Sequence, residues 1–380
     1  MTMQITRTAL WIESLVMEDA GSASEFLVSL MDFGNRNNVA DIIILDYPEN
    51  MKDQFAMNGF SFSGKTAISG KGQFIDMISS DLIEVALRNY SSYREVNGSV
   101  LERINNRRLG FRDPIEAHYH GVKENDLDSY YVSNLIFNFN GPFSVMAKAT
   151  PETISIYRTI RKAPLDPAIQ KILKVIMEDP ADEKEISLLT GIEISHVKAS
   201  VKELLSKCIV ARDHDGNLRF ILERYEKEES VRIIILEVLK ALGYISTAIY
   251  EEVTHDPDLN IYNAEIQQML ASGKLKKVFM KDNREPCYFL EIPEENKTSG
   301  SERMRIISQK DFLYLCFRDY IKANLGGSKT FLIEKNMHLS GSVVFRKVGR
   351  KYEIKNVIGN DIKKDELKRE LSMLGYSTEF

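Results

Sequence analysis

Two rhythms of hydrophobic and polar positions run along this chain. One has apolar residues three and four apart, as a helix requires; the other has short β-branched or alternating runs, as strands require. Residues 23–33 have helical spacing, and Asp41-Ile-Ile-Ile-Leu45 is a β-branched run of the kind that makes a buried strand. Asn58-Gly59 and Gly70-Lys71-Gly72 are turn signals. Residues 73–109 read as helical, with Phe74, Met77, Ile78, Leu82, Val85 and Ala86 on one stripe. Residues 112–164 read as β-rich and looped, with 130–139 an aromatic strand closed by Gly141-Pro142. Lys162-Ala-Pro164 with Asp166-Pro167, and the polar stretch 294–301, mark junctions.

The sharpest pattern lies at 167–222. Residues 167–177 form an amphipathic helix opened by Pro167; Asp179-Pro180 breaks the chain, and 182–190 make a second helix ended by Gly191. Ser195 is placed to cap a third helix, 195–207, with Val197, Val201, Leu204 and Leu205 as its apolar stripe. Two short strands then flank Asp215-Gly216. Three helices followed by a hairpin is the order of a winged helix, whose third helix reads a nucleic-acid groove. Its open face offers His196, Lys198, Lys202 and Lys207, and its hairpin Arg212 and Arg219, all groups suited to phosphate oxygens. The same order recurs at 230–290: helices at 231–242, 246–253 and 262–272, then strands at 274–279 and 287–290. Here the third helix is poor in cations, and the reading is a structural copy. Beyond 302, a helix at 310–325, strands near 330–334, 342–346 and 352–358, and a closing helix at 361–374 predict a small α+β unit.

The expected fold is therefore α+β and multi-domain, with tandem winged-helix modules. A mixed domain with a helical segment covers 1–164, the two modules cover 165–224 and 228–292, and the α+β unit covers 302–380. A length of 380 residues fits several domains. At 43% hydrophobic and 28% charged residues the chain folds rather than staying disordered. No apolar run reaches the roughly 18 residues of a membrane span, and the first residues do not form a secretory leader, so a cytoplasmic location is expected. Cys208, Cys287 and Cys316 lie far apart in apolar surroundings, as buried thiols in a reducing compartment do. His118 and His120 would share the face of a strand, but no further ligand completes a metal site; no metal or cofactor is expected.

The net charge of −5 argues against histone-like coating of DNA. The charge is uneven, however. Past residue 297 cations predominate, and Arg346, Lys347, Arg350 and Lys351 make a second candidate phosphate-contacting group. Gly59-Phe-Ser-Phe-Ser-Gly-Lys65-Thr66 fits the Walker A pattern letter for letter. Its context does not: no buried strand leads into it, and Ala67-Ile-Ser-Gly70-Lys-Gly72 cannot continue as the helix that a phosphate loop opens. No Ser-His-Asp, paired-carboxylate or His-Glu-x-x-His signature is present.

Residues 79–90, a Ser-rich helix running into Tyr90, and 101–109, an Arg-rich helix, resemble the stretch beyond the motor in the large helicase-related (Lhr) family. The tandem three-helix modules and final sheet resemble that family's C-terminal region, which is similar in turn to winged-helix DNA glycosylases acting on alkylated or crosslinked bases. The resemblance implies a DNA-processing setting and an array that holds duplex or structured DNA. It carries over neither a motor, since no RecA-like segment is present, nor base excision, since the glycosylases' Gln-x-Gln signature is absent. The expectation is a DNA-binding protein, accessory to repair or helicase machinery and able to engage a protein partner there. Two alternatives are an interaction scaffold and a glycosylase-like enzyme with altered catalytic residues.

Overall fold

The computed structural model describes residues 3–5, 9–15, 21–93, 98–291, 304–325, 330–348, 351–359, 362–374 and 378–379. The architecture is α+β. The chain forms two compact units, the first from Met1–Ile83, Gly243–Thr247 and Ile266–Glu294, the second from the remainder.

In the first unit a five-stranded sheet runs in the order Met3–Ile5, Ala9–Ile12, Asp41–Ile44, Thr66–Ser69, Phe60–Ser63. The run Ile42-Ile43-Ile44 makes its central strand because both faces are covered, which suits β-branched residues with no polar alternation. Side chains two apart share a face. Leu10, Ile12, Ile42 and Ile44 pack with Leu27, Leu30 and Phe55, whereas Trp11, Ile43 and Ile68 pack with Phe74 and Phe279. The Trp11 and Phe279 rings meet edge to face, with centroids 5.6 Å apart. A second sheet joins Tyr244–Ile245, Asn283–Phe289, Lys276–Met280 and Gln73–Ile75 in that order. The hairpin of the second recurring segment thus gains a parallel neighbour from residues 73–75.

That pairing corrects one expectation. Residues 73–109 are not one helical region but the strand Gln73–Ile75, a short 3₁₀ turn at Ser79–Asp81 and the helices Leu82–Tyr93 and Val100–Asn106. Gly59–Thr66 is a hairpin, with Phe60–Ser63 paired to Thr66–Ser69, rather than a loop opening a helix.

In the second unit the three-helix pattern appears as helices Pro167–Glu178, Glu183–Thr190 and Ile194–Ser206 and strands Val210–Arg212 and Leu218–Phe220. Ile169, Ile172, Ile176, Ile186, Val197, Val201 and Leu204 close its core. Asp182 accepts from the backbone of Lys184 and Glu185 at 2.8 and 2.9 Å, and Gly191, at φ +68°, ends that helix in a conformation only glycine adopts at little cost. The third helix starts one residue earlier than expected. Glu193 holds the cap position without a side-chain bond, and Ser195 lies in the first turn.

Residues 112–164 differ most from their expectation. The aromatic run 130–139 is the end of helix Glu124–Val132, a tight turn with Asn134 at φ +56°, and the strand Phe137–Asn140. Met146–Ala149 pairs with that strand, and Pro151–Ile160, buried along most of its length, is a helix where loops were expected. Helix Pro151–Ile160 packs on helix Lys227–Leu242, and its run Thr153-Ile154-Ser155-Ile156-Tyr157, rich in β-branched and aromatic residues, suits a strand locally as well as a helix. His118 lies on the helix Pro114–Tyr119 and His120 just past its end, not on a strand. Met304–Ile307, Thr330–Lys335, His338–Val348, Lys351–Ile358 and Thr378–Glu379 form the C-terminal sheet, with helix Lys364–Met373 packed on it through Leu367 and Leu371.

Candidate nucleic-acid interface and an adjoining cavity

Helix Ile194–Ser206 buries Val197, Val201 and Leu204 and leaves Ser195, His196, Lys198, Ala199 and Lys202 exposed on the other side. His196 lies 3.5 Å from Glu193 and stays open to solvent. The other three candidate cations, Lys207, Arg212 and Arg219, are engaged internally. Lys207 donates to Glu203 Oε1 at 2.6 Å and to the Pro164 carbonyl at 3.1 Å. Arg212 is paired with Glu183 and also donates to the Gly216 carbonyl at 2.8 Å. Arg219 donates to Asp213 Oδ2 at 2.9 Å, and Asp213 is fully buried. Lys198 and Lys202 therefore keep their charge for a ligand, whereas Arg212 and Arg219 have already spent much of theirs. Leu188 and Leu189, 85% and 68% exposed, stand beside the turn that leads into the third helix.

The strands Arg346–Val348 and Lys351–Glu353 pair with each other, which puts Arg346, Lys347 and Lys351 on one two-stranded ribbon. The side chains of these three residues, and Arg350 as a whole, lie outside the described residues.

The hairpin of the three-helix module does not stand alone. Its strand Val210–Arg212 pairs with Phe137–Asn140, opposing Arg212 to Asn138. Asn138 donates to the Tyr131 hydroxyl at 2.6 Å, and that hydroxyl donates to the Asp213 carbonyl at 2.6 Å. This sheet is one wall of a cavity of about 260 Å³. The rest of its lining is the segment Phe111–Pro114, helix Glu124–Val132 through Glu124, Leu127 and Asp128, and Lys310.

The segment Phe111–Pro114 is held in place from several directions. Phe111 and Lys148 exchange two backbone hydrogen bonds, at 2.9 and 2.7 Å. Gly110, at φ +71°, permits the approach, because a Cβ there would lie 3.1 Å from Ala147. Behind it lies Glu116, fully buried, which accepts from the Arg107 guanidinium at 2.5 Å, the Arg112 guanidinium at 2.9 Å and the Arg112 backbone at 2.8 Å. Burial pushes this carboxyl up, but the two guanidiniums and the backbone bond prevail and hold it below its ordinary value. Arg107 also meets His120 and donates to the Tyr90 hydroxyl at 2.8 Å.

Asp113 faces this cavity. It caps helix Pro114–Tyr119, accepting from Glu116 N at 2.9 Å, and its other oxygen accepts from the Ser308 hydroxyl. Burial, and then the nearby Glu116 charge, raise its carboxyl above the usual range. Across the cavity Lys148 pairs with Asp128 at 3.0 Å and lies 4.8 Å from the centre of the Tyr131 ring. An acid raised above its usual range, a lysine and an amide line one concave space, an arrangement typical of binding and catalytic sites. Asp113 is not among the candidate residues legible in the sequence. The Asp113-Pro114 pair reads from sequence as the close of the preceding helical segment, and nothing local signals that Ser308 and Lys310 come to it from 195 residues away or more.

Among the described residues no group of three His, Cys, Asp or Glu is placed to hold a metal, and no helix is long and apolar enough to cross a membrane. Cys208 and Cys287 are buried and Cys316 partly so. No protein-family model matches this chain, and no curated protein matches it in sequence. Among solved structures, the DNA glycosylase AlkZ of Streptomyces sahachiroi superposes with a TM-score of 0.57 over 80% of this chain and all of its own, at 7% sequence identity. At that identity the likeness is one of fold: the chain has a fold similar to that of a DNA-repair glycosylase.

Proposed function

We propose that this protein binds DNA in a repair setting, with helix Ile194–Ser206 as its phosphate-contacting element. The observation that carries the reading is the exposed basic face of that helix, where Lys198 and Lys202 project one turn apart above a three-helix core. His196 joins them at the helix start, where the backbone dipole also favours an anion. Lys207, Arg212 and Arg219 contribute mainly by holding the module in shape. Arg346, Lys347, Arg350 and Lys351, close together in the sequence, are the second candidate group for phosphate contact. The fold shared with AlkZ supports the setting. An accessory role beside a motor, as in the post-motor region of the Lhr family, and a protein partner in that machinery are part of the same proposal.

Fluorescence anisotropy with labelled duplex, forked and single-stranded DNA over a salt series tests it. Binding that weakens linearly in log salt supports phosphate contacts. Absence of binding at low salt defeats the reading and leaves the interaction scaffold, for which Leu188 and Leu189 provide an exposed apolar ridge.

The cavity favours a second reading, a glycosylase-like enzyme with altered catalytic residues. An enzyme acting on a base in a duplex must extrude it into a pocket. The cavity lined by Asp113 and Lys148 is concave, carries an acid whose burial raises it above the usual carboxyl range, and shares a sheet with the hairpin of the proposed DNA-binding module. Release of a damaged base from a defined duplex, lost on Asp113→Asn, would support it. No release from alkylated or crosslinked duplexes that the protein binds would reject it.

A further inference from the structure

The first unit carries a larger groove, of about 600 Å³, that the DNA reading does not use. Its floor is a buried ion pair. Lys277 donates to Asp41 Oδ2, while Asp41 Oδ1 accepts from Gly72 N at 2.9 Å. The pair is built closely. A Cβ at Gly70, where φ is +115°, would lie 2.5 Å from Asp41 Oδ1, and one at Gly72 would lie 2.6 Å from the Phe279 ring. Only glycines let the segment 70–72 lie over the pair.

An ammonium has three donors, and that of Lys277 gives one hydrogen bond, to Asp41, among the described residues. The same ammonium lies 5.1 Å from the centre of the Phe279 ring, and it keeps donor capacity beyond the bond to Asp41. Lys71 and Lys276, both exposed, add two more ammonium groups at the rim. The lining thus holds three lysines against one carboxylate, and that carboxylate is already engaged by Lys277 and Gly72. Gln73 and Gln267 offer amides beside them, and Leu270 and Leu275 give the groove an apolar side.

We propose that this groove binds a phosphomonoester attached to a small organic body. A phosphomonoester carries between about one and a half and two negative charges at neutral pH, with three acceptor oxygens, which suits a lining of three lysines and one carboxylate better than a singly charged carboxylate ligand does. The amides and the apolar side accommodate the attached group, such as a nucleoside. Either a free nucleotide or the phosphorylated end of a DNA strand supplies this chemistry.

Isothermal titration of the full chain with thymidine monophosphate, thymidine and inorganic phosphate tests the site. The monophosphate is expected to bind at least about tenfold more tightly than thymidine. Lys71→Glu combined with Lys276→Glu is expected to remove at least that factor while leaving the circular dichroism spectrum unchanged, because both side chains are exposed. Short duplexes with and without a 5′-phosphate distinguish the sources: a preference for the phosphorylated end assigns the site to DNA termini, and equal binding assigns it to free nucleotide. The proposal is overturned if the monophosphate binds no better than thymidine, or if the double variant binds it unchanged.

Discussion

If helix Ile194–Ser206 contacts the DNA backbone, its free cations set the salt dependence of binding. Lys198 and Lys202 are exposed on one face, whereas Arg212 and Arg219 are committed to Glu183 and Asp213. Each phosphate neutralised on duplex DNA contributes about 0.9 to the slope of log affinity against log salt. Removing both lysines, as Lys198→Ala/Lys202→Ala, should therefore lower the magnitude of that slope by about 1.8. Between 50 and 200 mM salt, the loss of affinity should then be about twelvefold smaller than in the unaltered protein. Anisotropy titrations at four or five salt concentrations resolve a change of that size. The control is Arg212→Ala/Arg219→Ala. Its slope should change by well under one contact, because deleting those side chains removes charge that neighbouring carboxylates already balance. An unchanged slope for the lysine variant would refute the assignment of this face. So would an equal fall in both variants, which would mean that the internal pairs open on binding and that the difference in exposure does not decide which cations act.

Three further outcomes follow from the buried groups. Glu116→Gln should destabilise the second unit by about 3 kcal/mol or more, because it leaves two buried guanidiniums without their carboxylate; a loss under about 1 kcal/mol in urea unfolding would mean that the pair is not the support described. The same residue sets an acid limit. Its folded value is depressed, so its contribution is present above the unfolded carboxyl range, near pH 4.3, and fades as pH falls through the folded value. Asp113 has the opposite sign. Its folded value is raised, so its contribution to stability is complete below about pH 3.9 and is lost as pH rises through the folded value. Asp113→Asn keeps a good helix cap and should gain in melting temperature over the unaltered protein as pH rises from 4 to 7; a constant difference across that range would argue against a strained carboxyl facing the cavity. In the first unit, Gly70→Ala should cost about 1–3 kcal/mol, since the left-handed backbone and the approach to Asp41 both exclude a Cβ. A neutral effect in thermal unfolding would show that the segment 70–72 can move off the ion pair.

The sequence by itself determined the elements whose signals are local. Pro167 with Asp166, the Asp182–Glu185 box, Gly191 and the stripe of Val197, Val201 and Leu204 specify three helices and their ends, because caps and periodic burial act within a few residues. The run at 42–44 announces a strand covered on both faces, and the hairpin residues at 215–216 announce a turn. The exposed face of the third helix could be read as well, since exposure alternates with burial along it. Tertiary structure decided what depends on partners distant in sequence. Residues 73–75 became a strand because Lys276–Met280 lies beside them, overriding a helical spacing. Pro151–Ile160 was hidden because its β-branched and aromatic residues, Thr153, Ile154, Ile156 and Tyr157, favour a strand locally, and packing on helix Lys227–Leu242 overrides that preference. Arg212 and Arg219 looked like free cations until Glu183 and Asp213 were placed beside them. Both cavities belong to this second class. Asp113 meets Ser308, and Asp41 meets Lys277, across hundreds of residues, and a change in ionisation arises from such contacts and from burial, neither of which the order of residues displays.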